Sequence, residues 1–280
     1  MSNNTYGFDQ DAALLKDSAR KFFSEKLPVD KLHELVANDP TLGRAPRSNW
    51  SEELWQEMID LGWSMVAVPE SAGGLGMPAV AVAGLMEECG RAAIPSPMLS
   101  TLATTYVLAA AEAIEPLADI CSGEAATLAI SGSRDAWDLA STEVTYSDGK
   151  LSGTSYHVQD VEKVQKILVS AHSNTDILLF WVDKKSTGVN IELDTIVDLT
   201  RDQGRVSFEA VEAEPISFKG LSALVEAMPK IWMLVSADIA GAAEWQLQTT
   251  VEYVNARKQF DRELGFFQAI KHPLVDVMIK

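Results

Sequence analysis

The chain has 280 residues and a formal net charge of −17, with 47% apolar and 22% charged residues. That balance suits a globular protein of two or three packed units. The acidity argues against nucleic acid or an anionic membrane as the main partner, because both select a basic face. Cys89 and Cys121 lie far apart and outside any CxxC or CxxH context. Neither a disulfide framework nor a metal site is therefore expected, and two free thiols in a reducing cytoplasm is the reading. His33, His157, His172 and His272 show no spacing that suggests metal ligation. No secretory signal is visible at the N-terminus, and the weakly charged run from Ser96 to Ile114 is interrupted by Pro97 and several hydroxyl residues, as in a buried helix rather than a membrane span.

In chain order, residues 9–26 carry Leu14, Leu15, Ala19, Phe22 and Phe23 at helical spacing, and Pro28 closes the segment. A loop is expected from Asn38 to Asn49. Asn49, with Glu52 three residues on, reads as an N-cap for a helix whose apolar face is Leu54, Trp55, Met58 and Leu61, with Gly62 as its stop. The glycines of Gly73-Gly74-Leu75-Gly76 permit a tight turn but match no phosphate-loop pattern. Residues 78–93 and 97–114 read as helices, with Glu87, Glu88 and Arg91 facing solvent. Strands are expected at Thr127–Ile130, Val144–Tyr146, Lys166–Ser170, Ile177–Val182 and Arg205–Glu209, with a tight hairpin at Ser147-Asp148-Gly149-Lys150. Such spacing suggests a small barrel or sandwich. Pro229 suits the first turn of a long helix running to Arg257, with Trp232, Val235, Ile239, Ala242, Leu247, Val251 and Val254 as its apolar face.

Three stretches carry a resemblance to a known family. They are Leu61–Gly76, the segments Gly149–Gly153, Asp198–Arg201 and Val206–Val211, and above all Arg257–His272, RKQFDRELGFFQAIKH. In this order they resemble the acyl-CoA dehydrogenase family. The resemblance implies an α+β fold: an N-terminal helical domain over residues 1–122, a middle β-barrel over 123–218 and a C-terminal helical bundle over 219–280. The last is expected to be incomplete, because Lys280 comes early relative to the family. It also implies FAD shared between subunits, an acyl-CoA substrate such as a fatty-acyl or steroid side-chain thioester, a homo- or hetero-oligomer, an electron-transfer flavoprotein as acceptor, and a cytoplasmic location.

By the same resemblance, Arg257 would meet the FAD pyrophosphate, and Gln259, Phe260 and Gln268 its adenosine half. Read as residues alone, Arg257 serves equally as a cation at a helix C-terminus, Phe260 as bundle core and Gln268 as a surface amide. Asp261 and Glu263 stand where the family has glycine and often proline, adding negative charge beside the pyrophosphate contact. The family's flavin-facing middle loop corresponds to Ala129–Asp135, and its flavin-facing aromatic to His157. The position of one alternative family base falls near Ile231, which cannot take a proton. Asp238, in an apolar stripe, is the remaining candidate catalytic base, with a helix-to-helix contact as its other reading. Two functions follow: an FAD-dependent acyl-CoA dehydrogenase, alone or as one subunit of a heteromer, and a catalytically silent scaffold or binding subunit.

Overall fold

Carboxylates and hydroxyls start the early helices. In the computed structural model, which describes residues 7–37, 49–134, 138–174 and 176–279, the Asp9 carboxylate accepts from the Ala12 amide at 2.9 Å and opens α1 (Gln10–Lys26). This helix buries Ala12, Ala19 and Phe23, while Leu14 faces outward. A short helix not expected from the sequence, α2 (Val29–Ala37), follows Pro28. The loop expected from Asn38 lies, apart from Asn49, outside the described residues. Ser51, not Asn49, caps α3 (Glu52–Asp60), accepting from the Leu54 amide at 3.1 Å; the Asn49 amide points back to the Val36 carbonyl. Gly62, at φ 78°, ends that segment as expected, and Leu61 is left half-exposed beside it.

The helical block is completed by α4 (Ala79–Arg91), α5 (Met98–Ala110) and α6 (Ile114–Cys121). Helix α4 runs between α1 and the long helix described below, so its charged residues do not face open solvent as expected. Glu88 is buried and accepts from Arg20 at 2.8 and 3.1 Å, with Arg91 Nε at 3.3 Å. Glu87 pairs with Lys16 at 2.6 Å, and Arg91 reaches across to Glu244. These pairs sit between apolar surfaces, where a charge without its partner is costly.

The sheet comprises β1 (Ala126–Ala129), β2 (Glu143–Ser147), β3 (Lys150–Gln159), β4 (Lys166–Ser173), β5 (Asp176–Asp183), β6 (Val189–Leu193), β7 (Gln203–Glu212) and β8 (Pro215–Ser217). All five expected strands are present; β3, β6 and β8 are additional. Asp148 and Gly149, at φ 53° and 77°, make the two-residue hairpin that the Asp-Gly pair specifies. The strand path is β6-β7-β3-β2-β4-β5-β8, with β1 beside β4. This path is open, with β6 and β8 at opposite ends, so among the described residues the middle segment is a sheet and the expected small barrel is not closed. Alternation along β4 gives it two apolar sides: Ile167, Val169 and Ala171 join Phe180 and Val206 in a core of the sheet's own, while Leu168 joins the helical core.

The long helix α7 (Gly220–Ala256) starts earlier than expected and spans about 55 Å at 1.5 Å per residue. Gly220 opens it because a Cβ there would strike the Ile177 carbonyl of β5. Pro229 therefore lies inside the helix, not in its first turn. The buried seam is also a different one. Gly220, Ala227, Leu234 and Gly241 recur every seven residues and face inward, whereas Trp232, Val235 and Ile239 of the expected face are 56%, 39% and 61% exposed. Close approach requires the glycines. A Cβ on Gly241 would collide with the Glu87 carbonyl, and one on Gly90 with the Asp238 carbonyl, so α4 and α7 cross almost backbone to backbone. Beyond α7 come a two-stranded hairpin, β9 (Lys258–Gln259) and β10 (Arg262–Glu263), and the helix α8 (Gln268–Ile279).

Candidate functional site

Helix α7 stops when Arg257 turns extended, its amide still bonded to the Tyr253 carbonyl at 2.8 Å. Gln259 then pairs with Arg262 and Lys258 with Glu263. Phe260 and Asp261 form the turn, both left-handed at φ 53° and 59°. Asp tolerates that conformation well, but a bulky aromatic does so only at a cost of about 1–2 kcal/mol. Two contacts hold this segment against the helix end: the Leu264 amide donates to the Arg257 carbonyl at 2.9 Å, and Gly265 leaves room for Asn255; the Phe260 and Phe267 rings meet edge to face at 6.2 Å beyond it. The Arg262 guanidinium lies 4.2 Å from the Phe266 ring centre.

The structure thus brings Arg257, Gln259 and Phe260 onto one hairpin, with Gln268 opening the helix just after it. All four are exposed, Phe260 to 87%. Among the described residues Arg257, Lys258 and Arg262 form no salt bridge. Asp261 and Glu263 therefore leave these cations available to an outside anion.

Asp238 is elsewhere, about 28 Å back along the helix. Both its oxygens accept from Arg201 Nη2, at 2.7 and 2.9 Å, while Arg201 Nη1 donates to the Ile94 carbonyl at 2.9 Å. Ile231 packs on the helical core. Behind Arg201 lies a buried polar chain. Lys163 is paired with Asp160 and Asp202 at 2.8 Å each, and Ser100 Oγ is 3.0 Å from Asp160. Burial pushes the Asp160 carboxyl above its ordinary value, against the pull of Lys163 and with help from Asp202. Sequence reasoning missed this chain: Lys163 and Asp160 look like ordinary surface charges, and Arg201 stood out only as the last residue of Asp198–Arg201.

On the sheet, His157 occupies a bulge of β3 at φ 55° and is exposed, its Nδ1 3.4 Å from the Gln203 side chain. In the Ala129–Asp135 segment, of which Asp135 lies outside the described residues, both the Ser133 amide and hydroxyl are bonded to Glu143. Those bonds hold the Glu143 carboxyl below its ordinary value. Both donors of Ser133 are thus engaged within the chain itself.

Comparison with known proteins places this geometry in a family. Residues 9–124 match the model of the acyl-CoA dehydrogenase N-terminal domain and residues 219–280 that of the acyl-CoA dehydrogenase C-terminal domain. The chain belongs to the acyl-CoA dehydrogenase family. Among curated relatives, it is 30% identical over 233 residues to the acyl-CoA dehydrogenase IpdE2 of Mycobacterium tuberculosis (strain ATCC 25618 / H37Rv), a match covering 82% of this chain and 62% of that protein. The chain therefore spans less than two thirds of that relative's length. Among solved structures, a variant of the Tcur3481–Tcur3483 steroid ACAD superposes with a TM-score of 0.82 at 29% identity, over 96% of this chain and 73% of the other. The ChsE4–ChsE5 complex from Mycobacterium tuberculosis shares the fold with a TM-score of 0.83 at 23% identity, over 97% and 74% of the two chains.

Proposed function

We propose that this chain is one subunit of a flavin-dependent enzyme that introduces an α,β double bond into an acyl-CoA thioester, and that its hairpin contacts FAD held largely by a neighbouring subunit. The observation that carries this reading is the exposed set Arg257, Gln259, Phe260 and Gln268 at the far end of α7, with Arg257 in no salt bridge among the described residues. The donor set fits the cofactor. A guanidinium presents a fork of donors to pyrophosphate oxygens, an exposed aromatic offers a face to the adenine, and two amides supply further donors and acceptors. FAD, when bound, supplies the acceptor for the hydride leaving the β carbon. Two of the solved relatives, Tcur3481–Tcur3483 and ChsE4–ChsE5, are named as pairs of chains, which supports a heteromer. An electron-transfer flavoprotein would accept the electrons, in the cytoplasm.

In this reading Asp238 anchors α7 rather than abstracting the α proton, because both its oxygens are committed to Arg201. The base is then a residue other than Asp238. The same pairing favours a second reading, a catalytically silent scaffold subunit. The deciding experiment expresses the chain alone and with the product of an adjacent acyl-CoA dehydrogenase-like gene, then records flavin absorbance and its bleaching by acyl-CoA. Absence of flavin from both preparations refutes the cofactor reading; flavin without bleaching selects the scaffold. Arg257→Ala should weaken flavin retention roughly tenfold or more in the co-expressed sample, the scale of one charge-assisted hydrogen bond.

A further inference from the structure

One guanidinium joins three parts of this fold. Arg201, just before β7, donates to both Asp238 oxygens on α7 and to the Ile94 carbonyl in the turn between α4 and α5. Arg201 is itself well mounted. The adjacent Asp202 pairs with Lys163 at 2.8 Å, Lys163 with Asp160 at 2.8 Å, and the Asp160 amide donates to the Asp202 carbonyl at 3.1 Å. Asp160, Lys163 and Asp202 are all buried. The guanidinium is therefore a fixed point of the sheet that reaches into the helices.

Helix α7 needs such a point. Its first turn is fixed to the sheet where Gly220 lies against the Ile177 carbonyl. Pro229 then removes a backbone donor and crowds the preceding turn, which makes it the weak link of the helix. From Pro229 the arm runs about 42 Å to Arg257, and Asp238 lies about 14 Å along it, at 1.5 Å per residue. A slip of about 1 Å at Asp238 thus becomes about 3 Å at the hairpin, in proportion to those lengths. The holds further out, Gly241 on the Glu87 carbonyl and Glu244 with Arg91, attach the arm to α4. Arg201 attaches the arm to the sheet and, through Ile94, the end of α4 with it.

We infer that Arg201 is a positioning residue: acting through Asp238, it sets where the 257–268 hairpin stands relative to the sheet, and so how the hairpin meets a neighbouring subunit. What the hairpin touches rests on the flavin reading; the positioning does not. Arg serves this role and Lys does not, because the role needs one planar group that reaches two acceptors in different directions.

Spin labels at Lys185→Cys in the β5–β6 turn and Glu263→Cys in β10, with Cys121→Ser as background, report the sheet-to-hairpin distance in the purified full chain by double electron–electron resonance. Two further variants remove the clamp by different routes: Arg201→Lys keeps the charge without the fork, and Asp238→Asn keeps the shape without the charge. The expected result is a shift or broadening of about 3 Å or more in either variant, with circular dichroism showing the fold intact at the measuring temperature. A distance distribution unchanged in both overturns the inference. Flavin content of the co-expressed complex, measured with the same variants, is read separately. A displaced hairpin with undiminished flavin supports the positioning role and removes the cofactor reading.

Discussion

Asp160 shows how a single carboxyl can be forced to compromise. Ser100 Oγ lies 3.0 Å from both the Pro97 carbonyl and Asp160 Oδ2, yet a hydroxyl has one proton to give. If Asp160 carries its own proton, it donates to Ser100, and Ser100 donates to Pro97; each group is then satisfied. The groups facing it pull in opposite directions: burial, the largest influence, and Asp202 hold the proton on, while Lys163 and Arg201 pull it off, and the net direction is upward. A carboxyl raised in the folded state binds its proton more tightly there than in the unfolded chain. Its stabilising contribution is therefore complete below the unfolded value near 4 and is lost as pH rises through the folded value. Asp160→Asn mimics the neutral acid, so the stability advantage of the natural chain over this variant should shrink as pH rises from 4. Urea midpoints across that range measure it, and an advantage that grows with pH would show Asp160 to be an ionised partner of Lys163. Nothing in the sequence marked this residue, since its neighbours Glu162 and Lys163 give the segment the look of a solvated turn.

At the scale of elements, the α4–α7 crossing decides more than helix propensity does. Gly→Ala in an exposed helix normally gains about 1 kcal/mol. Gly241→Ala should instead lose about 1–3 kcal/mol, the usual cost of overpacking, because its Cβ meets the Glu87 carbonyl. Ser236→Ala, on the exposed side of the same helix, serves as the control and should change little. Denaturant melts that ranked Gly241→Ala above the natural chain would contradict the close crossing. Elements with strong local chemistry were legible in the sequence: α1 from its apolar spacing, the 147–150 hairpin from Asp-Gly, the end of α3 from Gly62. Others were hidden for physical reasons. β3 is rich in Ser, Thr and Gly and bulges twice, so its alternation is broken. α7 bears apolar residues on two faces, and periodicity alone cannot say which face the rest of the chain will cover.

At the scale of the molecule, the candidate site was legible only as a motif. The order of Arg257, Gln259, Phe260 and Gln268 was visible, but their gathering on and beside one exposed hairpin depended on where α7 ends. What surrounds the uncovered side of α7 is addressed by Trp232, the more exposed of its two tryptophans. Trp232 is 56% exposed here. If a partner covers that side, as the heteromeric reading requires, acrylamide should quench the chain's fluorescence more strongly alone than in complex. Trp232→Phe should remove most of that difference. Equal quenching in the two states would place the partner elsewhere.

The seven-residue spacing of Gly220, Ala227, Leu234 and Gly241 has an evolutionary consequence. Those positions admit few replacements, because a larger side chain at either glycine would push the backbones apart. Trp232, Val235 and Ile239, on the opposite side of the same helix, are under no such constraint from the fold itself. A lineage could therefore exchange one set of surface side chains for another and acquire a new companion without refolding. The helix carries two inheritances, one frozen by its own chain and one free to drift with whatever it meets.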